Sequence, residues 1–347
     1  MTRIRRDRSR EPVVLLAASS GGHLHEMRLL ARRIVPRGYR AEWLVPWCPQ
    51  SDEIGADETV HIVHDTPPRA WWAMVRDIGP CGVAIRAVNP IAVVSTGAGL
   101  AVAALGSARA LGVEAHYIES AARTLGPSLT GRMVTGLPGV GRYTQWASWS
   151  SPRWLRTGSV FDGFVAEPEH GVGRIERVVV TLGTQPTFEF RRLVVRLLEI
   201  LPPSAQVLWQ TGCTDVAGLG IEATPNLAPA ALRRAMEQAD VVVAHAGIGS
   251  AVGVLQAGRL PVLVPRRREF GEHIDDHQAT IGRALGALGL AVVREVEGLG
   301  LDDLLAATQR RVRDYGGPPL VLKGRLGTLL EEQRRLGSAS CTQRARP

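Results

Sequence analysis

The chain has 347 residues, 45% hydrophobic and 21% charged, with a formal net charge of +8 at pH 7. That is length for about two domains and enough apolar content for packed cores, which excludes wholesale disorder. The positive charge raises nucleic acid as a partner, but it comes from arginines scattered along the chain, with Lys323 the single lysine, and no nucleic-acid-binding motif accompanies it, so none is expected.

In chain order, a basic stretch at residues 3–10 precedes a short apolar run at 13–18. The run is too brief for a signal peptide and reads as a buried strand; nowhere do about 20 apolar residues follow one another as a bilayer span requires. Residues 24–34 read as a helix, 41–45 as a strand, 91–95 as a strand, 99–111 as a helix and 115–118 as a strand. Residues 71–88 open on Trp71-Trp72 and are flanked by Arg69, Arg76 and Arg86, which fits either a core helix or a segment at a lipid interface. The pattern lapses near residues 158–174, where Glu167-Pro168-Glu169-His170-Gly171 reads as a linker. Strands follow at 177–182, 206–210, 241–244, 262–264 and 291–293, with a helix over 251–258, and the polar residues 338–347 are expected to fray. Alternating strands and helices predict an α/β chain of two Rossmann-like, doubly wound domains facing across a cleft. The expected division is residues 1–165, a linker at 166–176, residues 177–337 and a tail at 338–347.

Both halves open with a strand, a small-residue turn and a helix. In the first, Ser19-Ser20-Gly21-Gly22-His23 puts a histidine at a helix N-terminus, where the dipole disfavours the imidazolium and leaves a neutral ring able to accept a proton. Gly21 and Gly22 allow close backbone approach, and Thr96-Gly97-Ala98-Gly99 forms a second such turn that could receive an acceptor phosphate. Glu119 ends a strand, where it could orient a hydroxyl or the His23 ring. His25 stands two residues from His23 and one from Glu26, spacings that do not face one another on a helix as metal ligands would, the four cysteines lack metal or redox spacing, and no metal or cofactor is expected.

In the second half, Gly183-Thr184 could cradle a diphosphate. His245-Ala246-Gly247-Ile248-Gly249-Ser250 follows a strand and opens a helix, making an anion site with His245, Gly247, Gly249 and Ser250 as contacts. Asp276 and Gln278, one strand further on, could grip sugar hydroxyls. Neither a dinucleotide fingerprint nor a Walker loop is present.

These motifs carry a resemblance. Ser20-Gly21-Gly22-His23 with Glu26-Met27, Ser95-Thr96-Gly97-Ala98-Gly99, the stretch from Tyr117 to Arg123, Ser128-Leu129-Thr130-Gly131 and Gln145-Trp146 resemble the membrane-recruiting subunit of the dolichol-pathway UDP-N-acetylglucosamine transferase. Val180 to Thr184, His245 to Ser250 and Glu272 to Gln278 resemble that enzyme's catalytic subunit, here fused behind the first. The pair is similar to bacterial exopolysaccharide glycosyltransferases and, more distantly, to the family 28 enzyme that acts on lipid I. The resemblance implies a GT-B fold and metal-independent, inverting transfer from a UDP-sugar to a lipid-linked saccharide acceptor. It implies a peripheral enzyme on the cytoplasmic face of the plasma membrane, His23 as the base and Glu119 on the acceptor side. Many relatives hold the ribose with a glutamate at the position occupied here by Val254. The sugar is left open, although Arg266-Arg267-Arg268 lies near the donor end and would suit an acidic one. A UDP-sugar epimerase or a non-catalytic membrane scaffold for a partner transferase are the alternatives.

Overall fold

The computed structural model describes residues 11–48, 51, 54, 58–64, 71–169, 173–183 and 187–344, without the side chains of 71, 73 and 337–344. The basic stretch at 3–10 and Thr184 lie outside the described residues. The chain divides into two compact units, residues 1–162 with 318–347, and residues 163–317.

The first unit runs β1 (Val13–Ala17), α1 (Gly22–Ile34), β2 (Arg40–Pro46), β3 (Thr59–Val63), α2 (Trp71–Val88), β4 (Ala92–Ser95), α3 (Gly99–Ala110), β5 (Glu114–Ile118), α4 (Leu129–Val134), β6 (Gly141–Thr144) and β7 (Leu155–Arg156). Its sheet has the order β3-β2-β1-β4-β5-β6-β7, and each neighbouring pair is parallel. Every residue of β1 is buried, because a central parallel strand is covered on both faces. Helix α1 buries Leu24, Met27, Leu30 and Ile34, the stripe that its helical period predicts. The winding direction reverses between β1 and β4, so the crevice where ligands bind in such sheets lies at the carboxyl ends of these two strands.

The second unit runs β8 (Phe164–Pro168), β9 (Arg177–Thr181), α5 (Arg191–Ile200), β10 (Gln206–Gln210), β11 (Ala223–Thr224), α6 (Pro229–Gln238), β12 (Val241–His245), α7 (Ile248–Gln256), β13 (Pro261–Val264), α8 (His277–Ala287), β14 (Val292–Val293), α9 (Leu301–Thr308) and β15 (Arg310–Asp314). Its sheet has the order β11-β10-β9-β12-β13-β14, again parallel, with the reversal between β9 and β12. Each unit buries its own apolar core.

The expected boundaries differ from this division in two places. Residues 166–168 of the expected linker belong instead to strand β8, paired antiparallel with β15. Glu167 in the strand and Glu169 just after it meet arginines of β15, Arg313 at 2.8 Å and Arg311 at 3.2 Å, so charge that reads as linker along the chain is cross-strand pairing. The final helix α10 (Gly324–Arg344) runs through most of the segment expected to fray. It belongs to the first unit: Leu326 and Leu330 are fully buried, Tyr143 Oη accepts from Lys323 N at 2.9 Å, and Gln333 Oε1 accepts from Arg37 N at 2.9 Å.

Candidate active site

In the first unit the turn after β1 rises through Gly21, at φ +80°, and sets His23 at the second position of α1. The His23 Nδ1 atom lies 3.1 Å from the Thr96 carbonyl, at the end of the neighbouring strand β4. A carbonyl only accepts, so Nδ1 carries the proton and Nε2 keeps the lone pair. Thr96 Oγ1 returns a bond to the His23 carbonyl at 3.1 Å, locking the two turns together. Burial, opposed in part by the Thr96 bond, holds the imidazole below its usual pKa of 6.5, so the ring is neutral. Gly97 has φ +133°, and a Cβ there would stand 2.8 Å from His23 Cε1. Ala98, at φ +60° and ψ −177°, holds a backbone conformation that is essentially confined to glycine and costs on the order of 1–3 kcal/mol. Gly22 and Gly99 are the first residues of α1 and α3, so both helix N-termini open at the crevice.

The Glu119 carboxylate is fully engaged by groups other than the His23 ring. It accepts from Ser128 N at 2.8 Å, Ser128 Oγ at 3.1 Å, Tyr117 Oη at 3.1 Å and Ser120 N at 3.3 Å. Ser128 caps α4 by accepting from Gly131 N, so this carboxylate anchors the loop 119–128 and the start of that helix. Thr96, not Glu119, orients the histidine ring. Glu26, one turn beyond His23 on α1, was not among the expected site residues. It is buried and accepts from Ala121 N at 2.7 Å and from Gln145 Nε2. Desolvation first, with Glu119 adding repulsion, pushes its pKa up to about 7 against these bonds. The signal in the sequence was its spacing of three from His23, which puts both on one helix face.

In the second unit the turns after β9 and β12 meet over one ring. His245 fills the space that a Cβ at Gly183 or Gly247 would need, 2.7 Å from its Cε1 and 2.5 Å from its Nε2 respectively. Its ring is bonded to the Thr181 backbone, and Ser250 Oγ lies 3.3 Å from Nδ1. Desolvation, helped by the Arg266 charge, lowers its pKa to about 3, so His245 is a neutral spacer beneath the glycine turns. Gly247 caps α7 and Gly249 is exposed in its first turn, and no side chain caps that helix end. Val254 is fully buried against Val179, Met236 and Val242, so its side chain points into the core.

Asp276 and Gln278 lie where α8 begins, beyond β13. Asp276 is exposed and accepts from Arg268 N at 3.1 Å. Gln278 is buried, and its Oε1 accepts from Arg266 N at 3.1 Å. Glu272 holds this loop through a two-point pair with Arg192, 3.0 Å at each oxygen, and through Arg267 N. Among the described residues, His273, Asp275 and His277 group as metal ligands would; both imidazoles are hydrogen-bonded or paired to the Asp275 carboxylate.

Residues 177–299 match the glycosyltransferase family 28 C-terminal domain. The chain is a glycosyltransferase. It is 26% identical to a UDP-N-acetylglucosamine–N-acetylmuramyl-(pentapeptide) pyrophosphoryl-undecaprenol N-acetylglucosamine transferase of Polaromonas sp., over 86% of this chain and 83% of that protein. Among solved structures it resembles Acinetobacter baumannii MurG, with a TM-score of 0.55 and 16% identity, covering 85% of this chain and 89% of that one. It also resembles the calicheamicin glycosyltransferase CalG4, with a TM-score of 0.54 and 16% identity over 94% of each chain. The fold is therefore GT-B.

Proposed function

We propose that this glycosyltransferase is inverting and metal-independent, and moves a sugar from a UDP-sugar to a polyprenyl-diphosphate-linked saccharide in exopolysaccharide or cell-envelope glycan synthesis. The observation that carries the reading is the His23–Thr96 hydrogen bond, which makes Nε2 of a neutral imidazole the proton acceptor at the crevice of the first sheet. Nε2 takes the acceptor hydroxyl's proton as its oxygen attacks the anomeric carbon, and the electron pair of the breaking C1–O bond leaves on the diphosphate. The glycine turns at Gly183 and Gly247, the α7 N-terminus with Gly249 and Ser250, and Thr184 form the donor-phosphate side. Asp276 and Gln278 hold the transferred sugar. Gly21, Gly22, Thr96, Gly97 and Gly99 receive the acceptor's diphosphate. Glu119 acts by fixing the acceptor-side loop. The similarity to the Polaromonas transferase supports both the UDP-sugar donor and the lipid-linked acceptor.

The lipid-linked acceptor calls for a peripheral position on the cytoplasmic membrane face. No described helix is long and apolar enough to cross a membrane. Helix α2 buries Cys81 and Ile85 while exposing Trp72, Val75, Ile78 and Val83, and the Arg76 guanidinium lies 5.4 Å over the Trp72 ring. It packs in the core on one side, and its exposed apolar side supports the lipid contact proposed here.

The experiment is transfer from a panel of UDP-sugars to a short polyprenyl-diphosphate saccharide, with and without EDTA. EDTA-resistant product of inverted anomeric configuration is expected. Conversion of the UDP-sugar without acceptor would favour an epimerase instead, and UDP binding without either reaction would favour a scaffold.

A further inference from the structure

The second unit buries a cation that no described carboxylate pairs with, its guanidinium 5.7 Å over the Phe190 ring. Arg266 follows β13 and is 2% exposed. Its Nη2 donates to the Leu182 carbonyl at 2.6 Å, and its Nε is buried without a hydrogen-bond partner. No described carboxylate forms an ion pair with it; Glu272, whose field reaches it, is held by Arg192 and by Arg267 N. Strands β9 and β13 flank β12 on opposite sides, so a side chain that starts after β13 and bonds the residue after β9 spans the carboxyl end of β12. Helix α7 begins there, with its unbonded N–H groups. His245, in the same place, is neutral and supplies no countercharge. Burying an unpaired charge is costly, and a chain that keeps one beside a bare helix N-terminus has built half of an ion pair.

We propose that Arg266 is the counter-charge for the donor's diphosphate, meeting the negative charge that builds on the leaving phosphate as the glycosidic C1–O bond breaks. The inference rests on the donor site described above. The guanidinium stays protonated throughout and donates hydrogen bonds from Nε and Nη; the electron pair of the broken bond remains on the phosphate oxygen. Gln278 fixes the Arg266 backbone, which ties the sugar-side loop to the phosphate contact.

The test measures binding of uridine, UMP, UDP, two UDP-sugars (one neutral, one a uronate) and inorganic pyrophosphate to the full chain and to Arg266→Gln and Arg266→Lys. Arg266→Gln is expected to weaken UDP about tenfold or more while changing uridine less than about threefold, with Arg266→Lys in between. Unchanged UDP affinity, or an equal loss for uridine and UDP, overturns the proposal. A loss confined to the uronate donor also overturns it, assigning Arg266 to the sugar carboxylate. Wild-type protein that binds pyrophosphate through Arg266 but ignores UDP would keep the anion site and reject the uridine donor. Should Arg266→Gln fail to fold, Arg266→Lys carries the comparison: a larger loss of affinity for UDP than for uridine is expected, and equal losses or unchanged UDP affinity overturn the proposal.

Discussion

At His23 the decisive partner is a backbone carbonyl. The Thr96 bond fixes the tautomer and burial keeps the ring neutral, so His23→Ala is expected to reduce transfer by about 10²–10⁴-fold. UDP affinity should be unchanged, because the proposed donor contacts lie in the other unit; transfer within threefold of wild type would remove His23 from the mechanism. A depressed histidine pKa also sets the sign of the pH profile. Activity is lost as pH falls through the folded value, so the acid limb of kcat/KM should lie below pH 6.5, and a limb above it would contradict the burial argument. Gly97→Ala tests the geometry, since its Cβ would meet the imidazole at 2.8 Å in a backbone conformation strained for alanine. It should lower kcat more than it lowers UDP affinity. His23, Thr96 and Gly97 were legible in the sequence because they stand at strand–turn–helix junctions. Glu26 and Arg266 were less so, because their importance arises from burial and from partners as remote as Gln145 and Leu182.

Elements were readable where one period dominated. The buried strands β1, β4, β9 and β12 fell close to their expected places, since a strand covered on both faces is a continuous apolar run. β8 and β15 escaped notice because each has an exposed, charged face whose partner lies far along the chain. Helix α2 read two ways, and the structure gives a reason for both: its inner side packs against α3 and its outer side is apolar. The outer side carries the membrane prediction. Trp72→Ser with Val75→Ser should reduce flotation with anionic liposomes severalfold while leaving UDP binding and the melting temperature close to wild type. Unchanged flotation would move the membrane contact off this helix.

For the molecule as a whole, two buried groups with opposite shifts shape stability against pH. His245 titrates in the folded chain at about 3 against 6.5 unfolded, so the unfolded state binds the extra proton and stability falls as pH drops from 6.5 toward 3. Glu26 is raised to about 7 from 4.5, so its contribution is complete below pH 4.5 and is lost as pH rises through 7. Between pH 4.5 and 6.5 the two slopes oppose each other, and stability should be broad and flat there. Because the groups sit in different units with separate cores, they can be tested separately. Glu26→Gln keeps an acceptor for Ala121 N without a charge to desolvate. It should flatten the decline in melting temperature between pH 6 and pH 8, about 1 kcal/mol of a Glu26 contribution of about 3 kcal/mol that is lost mostly between pH 4.5 and 7, and unmask the rise with pH that His245 produces between pH 4.5 and 6.5. Calorimetry across pH 4–8 on wild type and variant makes the comparison. An alkaline slope that survives the substitution would mean that Glu26 is already ionised in the folded chain, held by its hydrogen bonds against the cost of burial.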